Sequence, residues 1–154
     1  MLTQRVNKLL DVVLLLPIYA VIVYTFWLPG YEKLFVRGRT VPYYAGVFKD
    51  SILNRLGVTD ILITSMGVLE LTIVVLAVIS LLRREFLPGA SLPFFKLALF
   101  LSATAFAMLG FGLRLIQNHA GAANQFYYFG FAVLFLALVQ CREYLAARRD
   151  SRPE

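Results

Sequence analysis

Four stretches of this chain, 9–29, 61–82, 94–117 and 126–145, are long and apolar enough to cross a bilayer as helices. About 30 Å of hydrocarbon takes roughly 20 helical residues. In lipid every backbone amide must be satisfied within the protein, so spans of this kind fold as helices that pack on one another. The sequence therefore predicts an all-α membrane protein, a bundle of four transmembrane helices. Hydrophobic residues make up 60% of the 154 and charged residues 16%, far from the balance of a water-soluble domain. Residues 1–154 then form a single membrane domain with a polar C-terminal tail at 148–154.

The net charge of +6 raises the question of nucleic acid, but the basic residues gather at span ends, where they set orientation. Arg5, Lys8, Arg83, Arg84, Lys96, Arg142, Arg148, Arg149 and Arg152 fall on one face. Lys33, Arg37, Arg39, Lys49, Arg55 and Arg114 fall on the other, mostly within one loop. The excess places both termini in the cytoplasm, and nucleic acid is not an expected partner. The first span is too long for a signal-peptide core and lacks a small-x-small cleavage pattern, so it reads as retained. A lone cysteine, Cys141, excludes an internal disulfide and a CxxC relay.

Between the first two spans, Thr40 as N-cap and Pro42 in a first turn predict an amphipathic helix over 41–56, with Val41, Ala45, Phe48, Ile52 and Leu56 on one face. Such a helix anchors in the interface or folds over the mouth of the bundle. Tyr24, Phe26, Trp27, Tyr31, Tyr43, Tyr44 and the aromatic run 126–129 gather at the same end. They read first as an interfacial belt, and second as rings able to sandwich a flat ligand. Leu87-Pro88-Gly89 and Leu92-Pro93 predict a sharp turn that makes the second and third spans a hairpin. The connection 118–125 makes the third and fourth spans antiparallel neighbours.

Glu70 interrupts the second span near its middle. A carboxylate at that depth is costly and must face inward, toward a cation, a proton or a ligand. Ile63, Gly67, Glu70, Val74 and Ala77 share one face, and the small residues among them favour close helix contact. The third span carries a similar stripe, Ala103, Ala107, Gly110, Arg114 and Gln117, which predicts that Arg114 also looks into the bundle. Glu32 and Lys33, expected just beyond the first span, add charges, while Gln117 and His119 add hydrogen-bonding groups. Together Glu70, Arg114, Lys33, Glu32, Gln117 and His119 outline a candidate polar site in the outer half. The competing reading is that these charges only pair to fasten the bundle.

A metal site is not expected, because His119 is the only histidine and no convergent ligand set accompanies it. Phosphate-loop, nucleophile-elbow and HExxH patterns are absent. The chain is not expected to be catalytic alone.

The order of spans, the segment Gly30-Tyr31-Glu32-Lys33-Leu34, the long first loop and Glu70 ahead of Leu71 resemble the DoxX-like family of small four-helix integral membrane proteins. The resemblance implies that Lys33 and Glu70 are the motif positions. It also implies a link to membrane redox complexes, as in thiosulfate:quinone oxidoreductase. Vitamin K epoxide reductases have comparable bundles but depend on paired cysteines, which this chain lacks. The expected function is an integral subunit of a redox or respiratory-type complex in a bacterial plasma (inner) membrane, with a site for quinone, lipid or a partner segment. The expected partners are the bilayer and a larger complex or further copies of the chain. The alternatives are a non-catalytic accessory or assembly subunit, or a proton-coupled small transporter that uses Glu70.

Overall fold

The computed structural model describes residues 2–87 and 90–150. Six helices follow in order: α1 (Leu2–Phe35), α2 (Arg37–Val47), α3 (Ile52–Arg55), α4 (Thr59–Leu82), α5 (Pro93–Leu115) and α6 (His119–Asp150). Four of them contain membrane-length apolar spans, Val13–Phe35, Thr59–Leu82, Pro93–Leu115 and His119–Leu145. The protein is an all-α membrane bundle, and no strand occurs among the described residues. Pro88 and Gly89, the centre of the predicted turn, lie outside the described residues, as do tail residues 151–154.

α1 packs on α4, α4 on α5 and α5 on α6. The core is a ladder of apolar side chains. Leu15, Ile18, Tyr19, Ile22 and Phe26 of α1 recur at helical spacing and meet Met66, Ile73, Val74 and Ala77 of α4. α5 contributes Phe95, Ala98, Leu99 and Ala105, with the Tyr19 and Phe95 rings stacked at 3.9 Å between centroids. Ala98, Ser102 and Ala105 are almost wholly buried, and residues this small allow close helix contact.

Three elements differ from the sequence reading by more than about two residues at an end. α1 does not stop at residue 29; it runs through Pro17 and Pro29 to Phe35. Proline is tolerated within a lipid-buried helix because neighbouring helices hold the segment. Lys33 and Glu32 are therefore helical residues, not the start of a loop. The predicted single helix over 41–56 is two pieces, because local polar bonds compete with the helix around the break. The Ser51 hydroxyl donates to the Phe48 carbonyl at 2.7 Å, and the Asn54 amide donates to the Lys49 carbonyl at 3.2 Å. Thr40 lies inside α2 and is not its cap; its hydroxyl donates to the Glu32 carbonyl at 3.0 Å. α6 begins at His119 and continues through Asp150, longer at both ends than 126–145, so the predicted tail starts as helix.

At the end of the bundle where α1 begins and α6 finishes, the first turn of α5 is closed by two carboxylates from elsewhere in the chain. Leu92, its N-cap, has no capping side chain. Instead Glu143 of α6 accepts from the Leu92 amide at 2.8 Å, and Glu85 accepts from the Phe95 amide at 3.2 Å. The unsatisfied amides and the positive end of the helix dipole favour negative groups there. Lys96 donates to Glu143 at 2.6 Å, Ser80 donates to Glu85 at 2.6 Å, and Arg142 donates to the Leu87 carbonyl at 3.1 Å. α4, α5 and α6 are thus tied together at this end by hydrogen bonds.

Candidate functional site

α1 and α4 cross through a reciprocal arrangement of two short patterns, Gly30-x-x-Lys33 and Gly67-x-x-Glu70. A Cβ added at Gly30 would sit 3.0 Å from the Glu70 Cβ, and one at Gly67 would sit 2.9 Å from the Lys33 Cβ. Each glycine is the seat on which the partner helix places its charged residue. The close approach brings the two side chains together, and the Lys33 ammonium donates to both Glu70 oxygens, at 2.8 and 2.7 Å. Lys33 is 4% exposed and Glu70 2%. Burial at this depth demands such a partner, because an isolated charge in hydrocarbon costs far more than a neutralised and fully hydrogen-bonded pair.

The pair forms part of the wall of a cavity of about 740 Å³ at the loop end of the bundle. α1 supplies Thr25, Phe26 and Pro29; α4 supplies Thr59, Ile63 and Met66; α5 supplies Phe106, Leu109 and Gly112; α6 supplies Gln125 and Tyr128. Tyr43, Tyr44, Val47 and Phe48 of α2 and its exit turn, with Leu53 of α3, close the cavity over. The Tyr44 ring lies 5.9 Å from the Lys33 ammonium, within cation–π range. Burial raises the Tyr44 hydroxyl above its ordinary value, and the Glu70 charge pushes in the same direction, so it stays protonated at neutral pH. The covering segment is strapped down by Arg37, which donates to Thr64 Oγ1 at 2.7 Å and to Asp60 at 2.6 Å.

Several polar groups belong to cavity-lining residues without being used by the protein. Thr59 Oγ1 and Gln125 Oε1 are buried with no hydrogen-bond partner. Pro29 has no N–H, so the carbonyl of Thr25, also a lining residue, lacks its i+4 helix donor. Lys33 spends two of its three N–H donors on Glu70 and keeps one. An apolar cavity with a few convergent polar groups is the usual form of a small-molecule site.

Of the six residues singled out from the sequence, the structure brings Lys33 and Glu70 together and leaves the other four outside the cavity wall. Arg114 does not look into the bundle. It is exposed and bonds His119 Nδ1 at 2.6 Å, a separate surface contact across the α5–α6 turn. The small-residue stripe misled because α5 has small residues on two faces. Ala103 and Gly110 are buried, with Gly110 against Phe126 and Gln125 of α6, whereas Ala98, Ser102 and Ala105 lie on the other buried face. Gln117 lies past the end of α5 with a positive φ of 58° and is exposed. Glu32 is exposed, and its backbone carbonyl, not its carboxylate, is engaged by Thr40.

The cover residues Tyr43 and Tyr44 were legible first as part of an aromatic belt and second as rings for a flat ligand, and Thr59 and Gln125 carried no signal. No group of three or more potential metal ligands occurs among the described residues. No known family, characterised protein or solved structure matches the chain. The likeness to the DoxX-like family rests on the sequence features alone.

Proposed function

We propose that this chain is a small-molecule-binding subunit of a membrane redox or respiratory-type complex, DoxX-like in organisation, whose ligand is a quinone or a similar lipid. In this reading both termini are cytoplasmic, the membrane is a bacterial inner membrane, and the cavity lies in the outer half of the bilayer. The observation that carries the reading is the buried Lys33–Glu70 pair in the wall of a large, mostly apolar cavity. A pair that served only to fasten α1 to α4 would need no space beside it. Flat aromatic walls from Phe26, Phe106, Tyr44 and Tyr128 suit a ring, and the residual Lys33 donor suits a ring carbonyl.

The test is purification in mild detergent followed by extraction and mass analysis of bound small molecules. A stoichiometric small molecule in the wild type that is lost from Glu70→Gln, with the variant still inserted in the membrane, supports the proposal. A ligand retained at full occupancy in Glu70→Gln defeats it. A large complex that co-purifies without any small molecule supports instead a non-catalytic accessory or assembly role. One observation favours that second reading: α6 buries the smallest share of its span and presents Phe126, Tyr127, Phe131, Leu134 and Leu138 outward. That face suits contact with another membrane subunit as well as with lipid.

A further inference from the structure

We infer that the cavity takes a lipid with an uncharged, hydrogen-bonding head, and that this molecule arrives sideways from the bilayer between α4 and α5 while the α2–α3 cover stays closed. The inference rests on the reading that the cavity holds a small molecule, and it names the class of that molecule and its route.

The charge of the head follows from the wall. Lys33 and Glu70 are the only ionisable residues of either sign among the lining side chains, apart from tyrosines, and they neutralise one another. An anionic head, such as a phosphate or fatty-acid carboxylate, would have to draw Lys33 away from a bidentate contact and strand Glu70 in a medium of low dielectric. An ammonium head would have to displace Lys33. A neutral carbonyl or hydroxyl head disturbs neither. Either accepts from the remaining Lys33 N–H and meets the Tyr44 hydroxyl, and a hydroxyl head also donates to a free lone pair of Glu70.

The route follows from the exposed lining residues that are wholly apolar; the other exposed ones, Tyr43 of the cover, Asn118, and Tyr128 of α6, carry polar groups. Leu62 of α4 and Met108 and Phe111 of α5 belong to the cavity wall, yet they are 37%, 46% and 64% exposed. Met108 and Phe111 stand one turn apart on α5, and Leu62 lies one turn from Met66 on α4. Their exposed surface is apolar and lies within membrane spans, so the cavity opens toward acyl chains there and not toward water. The covering side is different. Arg37 straps it to Thr64 and Asp60, Thr40 ties it to the last turn of α1, and the Phe48 ring lies in van der Waals range of a Cβ placed at Gly112. Passage through the cover would break these contacts, whereas passage beside Leu62, Met108 and Phe111 displaces apolar side chains that already face outward. The ligand's apolar tail then leaves by the same opening and remains among the lipids.

The test uses the full chain in nanodiscs, with the exposed Cys141 replaced by serine. The probe is a benzoquinone bearing a ten-carbon tail with a diazirine at its end, supplied from preloaded vesicles and activated by light. Peptide mapping is expected to place the label at Leu62, Met108 or Phe111. Met108→Trp, which narrows the opening, is expected to cut labelling at least about tenfold, while an Arg37→Cys/Asp60→Cys pair bridged by a bis-maleimide, which locks the cover, leaves it unchanged. Excess palmitate is expected not to compete. Labelling confined to Tyr43, Tyr44 or Phe48, or loss of labelling on locking the cover, overturns the route; competition by palmitate overturns the neutral head. Saturable labelling absent from the wild type altogether would instead defeat the underlying reading of the cavity as a ligand site.

Discussion

Two carboxylates on one stretch of chain, Glu70 within α4 and Glu85 three residues past its end, are almost equally buried, at 2% and 4% exposed, and they are held in different ways. Glu70 lies mid-helix, has a cation for a partner and borders a large cavity. Glu85 makes no ion pair among the described residues; its Oε2 accepts from Ser80 and from the Phe95 amide, its Oε1 is buried without a partner, and it does not line that cavity. The contrast shows that burial of an acid is not by itself a functional signal. Near a span end, backbone amides and a helix dipole can hold a carboxylate, so Glu85 reads as part of the architecture. In mid-span the amides are already used by the helix, so a cation has to be brought in, and here it comes with a cavity attached.

The sharpest way to break this comparison is to remove one partner at the mid-span site. Lys33→Met or Glu70→Leu leaves one buried charge unpaired and is expected to cost about 3–5 kcal/mol, read as thermal stability in detergent. The double variant Lys33→Met/Glu70→Leu is expected to recover most of that loss while still failing to bind the probe. Recovery of stability without recovery of binding separates a ligand site from a fastener. If the single variants melt like the wild type, the pair is not buried in the way described.

At the other carboxylate the expected loss is smaller and has no such rescue. Glu85→Ala strips the Phe95 amide and the Ser80 hydroxyl of their acceptor, at about 1–3 kcal/mol for the groups left unsatisfied. No cation is left stranded, so no second substitution restores it, and ligand binding is expected to be unchanged. Loss of binding in Glu85→Ala with little loss of stability would erase the distinction between the two acids.

Much of this was readable from residues alone, and the failures have particular causes. Four spans followed from length and hydrophobicity, and the inward face of Glu70 followed from its position among Ile63, Gly67, Val74 and Ala77, all of which are buried. Its partner did not follow, because Pro29 suggests a helix end in water, whereas in a membrane bundle α1 continues one and a half turns further and swings Lys33 inward. Arg114 was drawn into the site by periodicity, which reports that residues share a face but not which neighbour that face meets. The role of Glu85 was invisible for a tertiary reason: the amide it caps belongs to a helix that starts eight residues later and is positioned only by the hairpin.

The crossing itself supplies a further test, comparable in size to that at Glu85 or somewhat below it. Gly67→Ala would place a Cβ 2.9 Å from the Lys33 Cβ and 3.0 Å from Leu34, and the backbone of α4 has to give way. Overpacking of this kind costs about 1–3 kcal/mol, and here it also pries the ion pair apart. Gly38→Ala is the matched control, since nothing lies within 4 Å of a Cβ there. Equal stability of the two variants would mean that α1 and α4 do not approach through glycine, and the placement of Lys33 against Glu70 would lose its cause.

The smallest effect is expected at the strap, and it tests whether the cavity end is assembled differently from the capped end. The Arg37–Asp60 pair is exposed, at 40% and 56% of the two side chains, so its removal in Arg37→Ala is expected to cost under about 1 kcal/mol of global stability. Local opening is another matter, because neither α2 nor α3 contains a buried residue and the segment is jointed at Val36, which is non-helical, and at Gly57, with φ of 67°. Amide exchange over residues 37–57 is therefore expected to speed up in Arg37→Ala while exchange in α4 and α5 stays unchanged. At the capped end the hydrogen bonds among the described residues join the spans directly, and Lys96→Ala should slow or speed nothing selectively around the cavity. Were Arg37→Ala to lower global stability as much as Gly67→Ala does, the cover would be part of the core rather than a closure laid over it, and the two ends of the bundle would be built on the same plan.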